Sequence, residues 1–302
     1  SDVYKRQEYG ASSVGEVGDA EALQTMIDYT TGGQRLHMTY SFAFLSKDGH
    51  AQHVRRHVQS FEKATHEQQS DSWPCWTVGN HDAIRVLTRW AGEANPHHFT
   101  RMVMAMLVSL RGSVCWYQGD EWMLPEADLP YEVLQDPPGI AFWPEYKGRD
   151  GCRTPMPWCS DVMHGGFSGV NPKVSPWLPV VSEHRRRAWD VNEKDEHAPL
   201  HFMRALLAWR KAHPVLVQGA VQYLEGDADV LVFIRKPEKN QEGRPMLCAF
   251  NFRDAARSVA VAQTVRAVPS APQKLPRDQQ GVLQDEVLHL PPYGIYFAEI
   301  TG

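Results

Sequence analysis

The sequence predicts an α/β protein in which parallel strand-helix units are followed by antiparallel strands. In the first half, short apolar runs ending in Gly or polar residues alternate with segments whose apolar residues recur at helical spacing. After His213, alternating runs separated by charged turns replace that pattern, which suits an antiparallel sheet or sandwich. We therefore expect a boundary near Pro214, with domains spanning residues 1–213 and 214–302.

Four strands are predicted in the first half because short apolar runs end there in Gly or polar residues. They span Ala11–Val17, Leu36–Phe42, Pro74–Asn80 and Ser113–Gln118. Helices are predicted after His50 and after His97, where the apolar residues lie on one face. The residues on those faces are Ala51, Val54, Val58 and Phe61 in the first helix, and Phe99, Val103, Met106 and Leu110 in the second.

The stretch from Asp120 to about Pro199 has no regular period and is rich in Pro, Gly, Trp and charge. An irregular stretch of this length inside a compact domain is typical of a functional loop. Its Trp side chains fit sugar-stacking platforms and hydrophobic loop anchors equally well. A helix then returns through Leu200, Met203 and Leu207.

The composition excludes several classes of partner. The 302 residues carry a net charge of −5, so they offer no basic footprint for nucleic acid. The most apolar window is broken by Arg101, Arg111 and Gly112 and falls short of a membrane helix. The five cysteines lack zinc-type spacing, which favours reduced thiols in a cytoplasmic protein without a metal site.

Polar side chains lie at the ends of two predicted strands. Gly15 and Glu16 come at the end of the first strand, and Asn80, His81 and Asp82 at the end of the third. In an α/β barrel such positions face the active site, and two carboxylates on one rim suit acid/base or glycosyl chemistry. Asp and Glu also cap the helix after a strand, so capping and catalysis remain equal alternatives at this point.

Four motifs occur in the order SVGEV, VGNHDAIRV, VCWYQGDEW and RDGCRTPMPW. Together they closely resemble the α-amylase family of glycoside hydrolases, in particular its α-glucosidase and oligo-1,6-glucosidase branch. The resemblance runs from about Ala11 to the C-terminal region. It implies a (β/α)8 barrel with a C-terminal β-sandwich, of which this chain is expected to form the C-terminal half of the barrel and the sandwich.

The resemblance also implies roles for four residues. Glu16 corresponds to the general acid/base of the family. Asp82 corresponds to the carboxylate that holds the sugar hydroxyls and stabilises the oxocarbenium-like transition state, and His81 to the imidazole that binds the same sugar. Arg153 corresponds to the guanidinium that grips the terminal glucose. Asn80 is expected to support the turn, while Glu16, His81, Asp82 and Arg153 are expected to meet in one cleft.

One family motif is missing from the sequence. The family nucleophile is an Asp in a G-F-R-x-D sequence on the fourth barrel strand, and no such sequence occurs in the 302 residues. Only four barrel-type strands are counted. We therefore expect the chain to be an N-terminally truncated enzyme that is inactive alone, because retention needs a second carboxylate as nucleophile.

The expected function is that of a retaining α-glucosidase that removes terminal α-linked glucose from short oligosaccharides. A transglycosylating or isomerising relative, of the trehalose synthase or sucrose isomerase type, is the alternative within enzymes. A non-catalytic partner protein of the same fold is the third possibility. No cofactor, metal, nucleic acid or membrane is expected, and the sequence does not indicate an oligomeric state.

Overall fold

A computed structural model of the chain describes residues 8–18, 21–33, 35–91, 95–168, 174–225, 227–261 and 267–301. The chain divides into two compact units. The first, here called the sheet unit, comprises Ser1–Thr77, Met102–Cys115 and Leu206–Gly302. The second, the loop unit, comprises Val78–Arg101 and Trp116–Ala205. The sheet unit takes residues from both sides of position 214, and the boundary expected there remains a prediction.

The described helices and strands are short except for three helices. The helices are α1 (Ala22–Thr30), α2 (Ala51–Glu67), α3 (Pro96–Ser109), α4 (Pro137–Ala141), α5 (Ser182–Arg185), α6 (Trp189–Lys194), α7 (Pro199–Ala212) and α8 (Pro214–Gln218). The strands are β1 (Val14–Val17), β2 (Met38–Ser41), β3 (Pro74–Trp76), β4 (Ser113–Val114), β5 (Ala220–Tyr223), β6 (Val230–Lys236), β7 (Met246–Asn251), β8 (Arg257–Ala260), β9 (Ala267–Pro269), β10 (Val282–Gln284), β11 (Val287–Leu290) and β12 (Ile295–Ile300).

The sheet unit contains a four-stranded parallel sheet in the order β1-β2-β3-β4. All four strands were predicted, and their parallel pairing is confirmed. They are shorter than predicted, and in β2 a local hydrogen bond accounts for the early end. The Ser41 hydroxyl accepts from the backbone N–H of Ala43 and starts a helical turn where β2 was expected to continue.

Helix α2 packs the apolar face that its sequence period predicted. Ala51, Val54, Val58 and Phe61 are all buried. The ring of Phe61 meets Trp76 of β3 edge-on at 5.9 Å between centroids. Helix α3 is also present as predicted. It is buried on nearly all sides, so many more of its residues are buried than the four that the sequence pattern predicted.

Two antiparallel sheets follow, a five-stranded one in the order β5-β6-β7-β12-β9 and a three-stranded one in the order β10-β11-β8. The predicted antiparallel pairing is confirmed. Residues of both sheets share one apolar cluster, which includes Val232, Leu247 and Leu288. Strands β6 and β7 are buried on both faces because Phe233 and Phe250 also pack in an aromatic row away from that cluster. The sandwich arrangement itself remains a prediction.

The loop unit has no strand among its described residues, in agreement with the irregular stretch predicted between Asp120 and Pro199. It is held by small apolar clusters, one of which joins Trp122, Leu124, Met156 and Leu200. Helix α7 begins where it was predicted. Its predicted apolar stripe is wrong at one position, since Leu206 is fully buried whereas Leu207 is 43% exposed.

Within the described parts of the chain, no helix combines the length and the apolar character needed to cross a bilayer.

Candidate active site

Glu16 lies in the sheet unit, inside strand β1, and pairs in register with Tyr40 of β2. Its side chain is exposed. A Cβ at Gly15 would lie 2.4 Å from the end of the Leu36 side chain, which would have to move to admit it. His81, Asp82 and Arg153 belong to the loop unit. The convergence of Glu16 with those three residues therefore remains a prediction.

In the loop unit, Asn80 organises the turn that carries His81 and Asp82. Its Oδ1 accepts from the backbone N–H groups of Asp82 and Ala83, both at 2.9 Å. Asn80 itself is only 7% exposed. This is the turn-supporting role expected from the sequence, and it leaves the side chains of His81 and Asp82 partly exposed.

The two oxygens of the Asp82 carboxylate have different surroundings. Oδ1 accepts from Nη2 of Arg153 at 2.5 Å and from Nη1 of Arg149 at 3.2 Å. Oδ2 lies 3.6 Å from Nε2 of His81 and accepts no hydrogen bond from the described residues. The side chain of Asp82 is 38% exposed. Since both hydrogen bonds go to Oδ1, Oδ2 is the oxygen that keeps its capacity to accept a hydrogen bond from a ligand.

Arg153 binds two residues of the turn, His81 and Asp82. Its Nε donates to the backbone carbonyl of His81 at 2.7 Å, while its Nη2 binds Asp82. The structure thus brings together His81, Asp82 and Arg153, three of the four residues singled out from the sequence. Their roles toward a sugar remain predictions. The backbone carbonyl of Arg153 also accepts from the indole of Trp177, whose ring is 55% exposed.

Sequence reasoning missed the pair formed by Arg149 and Asp136. Nη2 of Arg149 donates to Oδ1 of Asp136 at 2.6 Å, and its Nε donates to Oδ2 at 3.1 Å. These hydrogen bonds hold the pKa of Asp136 below its usual value, and they raise that of Arg149. Arg149 stands inside the motif RDGCRTPMPW and could have been noticed there, whereas nothing in LQDPPG points to Asp136.

A buried charged layer underlies the turn. Nη1 of Arg85 lies 3.6 Å from Oδ1 of Asp120, and its backbone N–H donates to Glu126 at 2.8 Å. Burial raises the pKa of Asp120 to about 7 and that of Glu126 to about 7. Neither oxygen of Asp120 accepts a hydrogen bond from the described residues. Gly79 lies next to Asp120, and the absence of a side chain makes room for the carboxylate, since a Cβ there would lie 2.5 Å from Oδ2 of Asp120.

None of the described His, Cys, Asp and Glu side chains gather in a group of three or more that could hold a metal ion. The charged groups around Asp82 instead form a balanced set of two guanidinium groups and two carboxylates. Such a set presents donors and acceptors to the hydroxyl groups of a sugar.

Comparisons with known proteins identify the family of the chain. The family model described as the α-amylase catalytic domain matches residues 2–219. A probable α-glucosidase of Rhizobium meliloti is 39% identical over 298 residues, which cover 96% of this chain and 50% of that protein.

Solved structures show the same relationship. The crystal structure of the α-glucosyl transfer enzyme XgtA is 39% identical, has a TM-score of 0.86, and is matched over 97% of this chain and 51% of that one. The trehalulose synthase MutB of Pseudomonas mesoacidophila MX-45 shares the fold at 19% identity and a TM-score of 0.77, over 98% of this chain and 56% of that one.

The chain thus spans about half the length of the relatives it matches. The family model covers most of the chain, and the similarity to the Rhizobium meliloti protein extends over nearly all of it. The chain belongs to the α-amylase family of glycoside hydrolases.

Proposed function

We propose that the chain provides the acid/base and sugar-binding part of a retaining α-glucosidase that removes terminal α-linked glucose from short oligosaccharides. The observation that carries this proposal is the state of Asp82. Two guanidinium groups fix its Oδ1, and its Oδ2 stays open beside His81. A carboxylate held in this way can accept from a sugar hydroxyl and stabilise positive charge as the glycosidic bond breaks.

Each remaining group has a place in that reaction. Glu16, exposed on β1, would protonate the leaving oxygen and later deprotonate water. Arg153 would hold Asp82 in place and donate to the terminal glucose, since a guanidinium presents a planar fork of donors. The retaining pathway also needs a carboxylate nucleophile about 5–5.5 Å from the acid. The 302-residue sequence contains no G-F-R-x-D motif, so we propose that the chain alone has no turnover.

The fold proposal follows the same lines. We propose that residues 1–213 form the C-terminal half of a (β/α)8 barrel and that residues 214–302 form a β-sandwich. The four parallel strands support the first part. The apolar cluster shared by the two antiparallel sheets supports the second part. The five free thiols support the proposed cytoplasmic location.

A transglycosylating or isomerising enzyme is the second candidate. Two of the structural neighbours are described as an α-glucosyl transfer enzyme and a trehalulose synthase. Hydrolysis and transfer share the same acid/base and differ in whether water or a sugar hydroxyl attacks the intermediate. The third candidate, a non-catalytic partner protein, is disfavoured because Glu16, Asp82 and Arg153 are all present.

The proposal can be tested in a chimera. In the Rhizobium meliloti relative, the segment aligned with this chain is replaced by this chain, giving a protein called here the glucosidase chimera. We expect it to release glucose from maltose or isomaltose, and the unaltered relative is assayed in parallel. Glu16→Gln should abolish release, whereas Glu67→Gln, on the exposed end of α2, should not. Chromatography of the products separates glucose from transfer or isomerisation products. A chimera that folds but neither hydrolyses nor transfers glucose contradicts the proposal.

A further inference from the structure

Asp136 lies in the loop unit, outside the motifs that identify the family, and its side chain is only 1% exposed. We propose that Asp136 is a positioning residue: it holds Arg149 so that this arginine touches only one oxygen of Asp82, which keeps the other oxygen open for a sugar hydroxyl. The part of this inference that concerns the sugar rests on the proposed function. The part that concerns the contacts of Arg149 with Asp136 and with Asp82 does not rest on it.

Asp136 occupies one whole edge of the Arg149 guanidinium. It accepts from Nη2 at 2.6 Å and from Nε at 3.1 Å, and it also accepts from the backbone N–H of Arg149 at 2.9 Å. A bidentate contact of this kind fixes the plane of the guanidinium. Nη1 lies outside that edge and donates to Oδ1 of Asp82 at 3.2 Å.

The loop holds Asp136 in place from two sides. Oδ2 of Asp150 accepts from the backbone N–H groups of Gln135, at 2.6 Å, and of Asp136, at 2.8 Å. Gly148 has φ +76°, and a Cβ there would lie 2.8 Å from Oδ2 of Asp136. Glycine thus gives the carboxylate the room that it needs next to the backbone.

Without the charge of Asp136, Arg149 would keep Asp82 as its carboxylate partner. A guanidinium pairs most strongly with both oxygens of a carboxylate at once. A released Arg149, already next to Oδ1, would extend its contact to Oδ2, the oxygen near His81. A sugar would then have to displace Arg149 before it could bind Asp82.

The variant Asp136→Asn in the glucosidase chimera tests this idea. An amide cannot accept on both sides, so one side would present N–H groups to Arg149 and release it. We expect KM for p-nitrophenyl α-glucoside to rise about tenfold, within the range of coupling between contacting residues, with a smaller change in kcat. Asp128→Asn, which removes an exposed carboxylate paired with Lys147 in the same unit, is the matched control.

The double variant Asp136→Asn/Arg149→Gln separates positioning from simple structural support. If Asp136 acts through Arg149, the double variant should have the same KM as Arg149→Gln and a lower KM than Asp136→Asn. A merely structural role gives additive losses instead. The double variant leaves no unpaired charge, so it keeps the test available if Asp136→Asn alone does not fold. A further rise in KM from Arg149→Gln to the double variant overturns the proposal.

A second measurement uses the 302-residue chain itself and needs no activity. In its nitrogen-15 NMR spectrum, the Nε–H signal of Arg149 should be slow to exchange, and Asp136→Asn should abolish that protection. Unchanged protection in Asp136→Asn, with Asp128→Asn as control, overturns the positioning role. If the protection is lost as expected but the glucosidase chimera is inactive, the proposed function alone has failed.

Discussion

At the residue scale, the proposed chemistry depends on how Asp82 is held. The motif predicts a sugar-binding carboxylate, and the loop unit supplies a turn fixed by Asn80 and two guanidinium groups on one oxygen. Charged hydrogen bonds of this kind are stronger than neutral ones and fix orientation as well as charge. Asp82 is thus held in advance of any ligand, which is a condition for effective transition-state stabilisation.

The first prediction concerns the charge of that group. Asp82→Asn in the glucosidase chimera should lower kcat by about 10²–10³-fold, because an amide supplies no negative charge to an oxocarbenium-like transition state. Steady-state kinetics with p-nitrophenyl α-glucoside measures the change, and Asp128→Asn serves as the control. A kcat that stays within about twofold of the parent would remove Asp82 from the catalytic machinery.

The second prediction concerns the buried acid Asp120. Burial raises its pKa from 3.8 to about 7 in the folded chain. A carboxyl group with a raised folded pKa binds its proton more tightly when folded, so its stabilising contribution is complete below about pH 4 and is lost as pH rises toward 7. The free energy of unfolding should therefore fall over that range. Asp120→Asn should flatten the fall, as measured by urea unfolding at pH 5 and pH 8. An unchanged difference between the two pH values would show that Asp120 titrates normally.

The residues found from the sequence were those that lie in motifs. His81, Asp82 and Arg153 came from motifs, and the structure places them in contact. Asp136 was missed because its partner lies 13 positions later and meets it only through the fold of an irregular loop. Neither hydrophobic period nor strand position carries information about such a pair.

At the element scale, the type of each long element was predictable and its ends were not. Helix α2 has a clear apolar face, and the structure buries that face. Strand β2 ends early because the Ser41 side chain accepts a hydrogen bond from the backbone N–H of Ala43. Local hydrogen bonding of this kind competes with the sheet ladder and leaves little trace in the apolar pattern. The burial of β6 and β7 on both faces depends on distant aromatic rings, so it too was not readable from the strands alone.

The third prediction concerns the contact between α2 and β3. Phe61 is 1% exposed and packs against Trp76. Phe61→Ala should lower the free energy of unfolding by about 3–5 kcal/mol, because it removes a buried ring and leaves a cavity. Gln59→Ala, at an exposed position of the same helix, should stay within about 0.5 kcal/mol of the parent. Urea denaturation of the chain measures both. Equal effects of the two substitutions would show that α2 does not pack as described.

At the scale of the whole molecule, the chain matches about half of the Rhizobium meliloti protein and of XgtA, and it carries an acid/base candidate without the family's nucleophile motif. The fourth prediction is that the purified 302-residue chain releases no nitrophenol from p-nitrophenyl α-glucoside. Without a carboxylate to form the glycosyl-enzyme, Glu16 has no intermediate against which to activate water. Sustained release that Glu16→Gln abolishes would mean that a carboxylate within this chain acts as the nucleophile.

The central claim is that Glu16 is the acid/base of a retaining glucosidase, and azide rescue tests it most directly. The glucosidase chimera carrying Glu16→Ala is given 2,4-dinitrophenyl α-glucoside, whose leaving group needs no protonation. The glycosyl-enzyme should then form but hydrolyse slowly, because no base activates water. Azide should restore turnover, and NMR should identify the product as the α-glucosyl azide, with retained configuration. A lack of rescue, or a β-glucosyl azide, which is the product expected when the nucleophile has been removed, would contradict the assignment of Glu16.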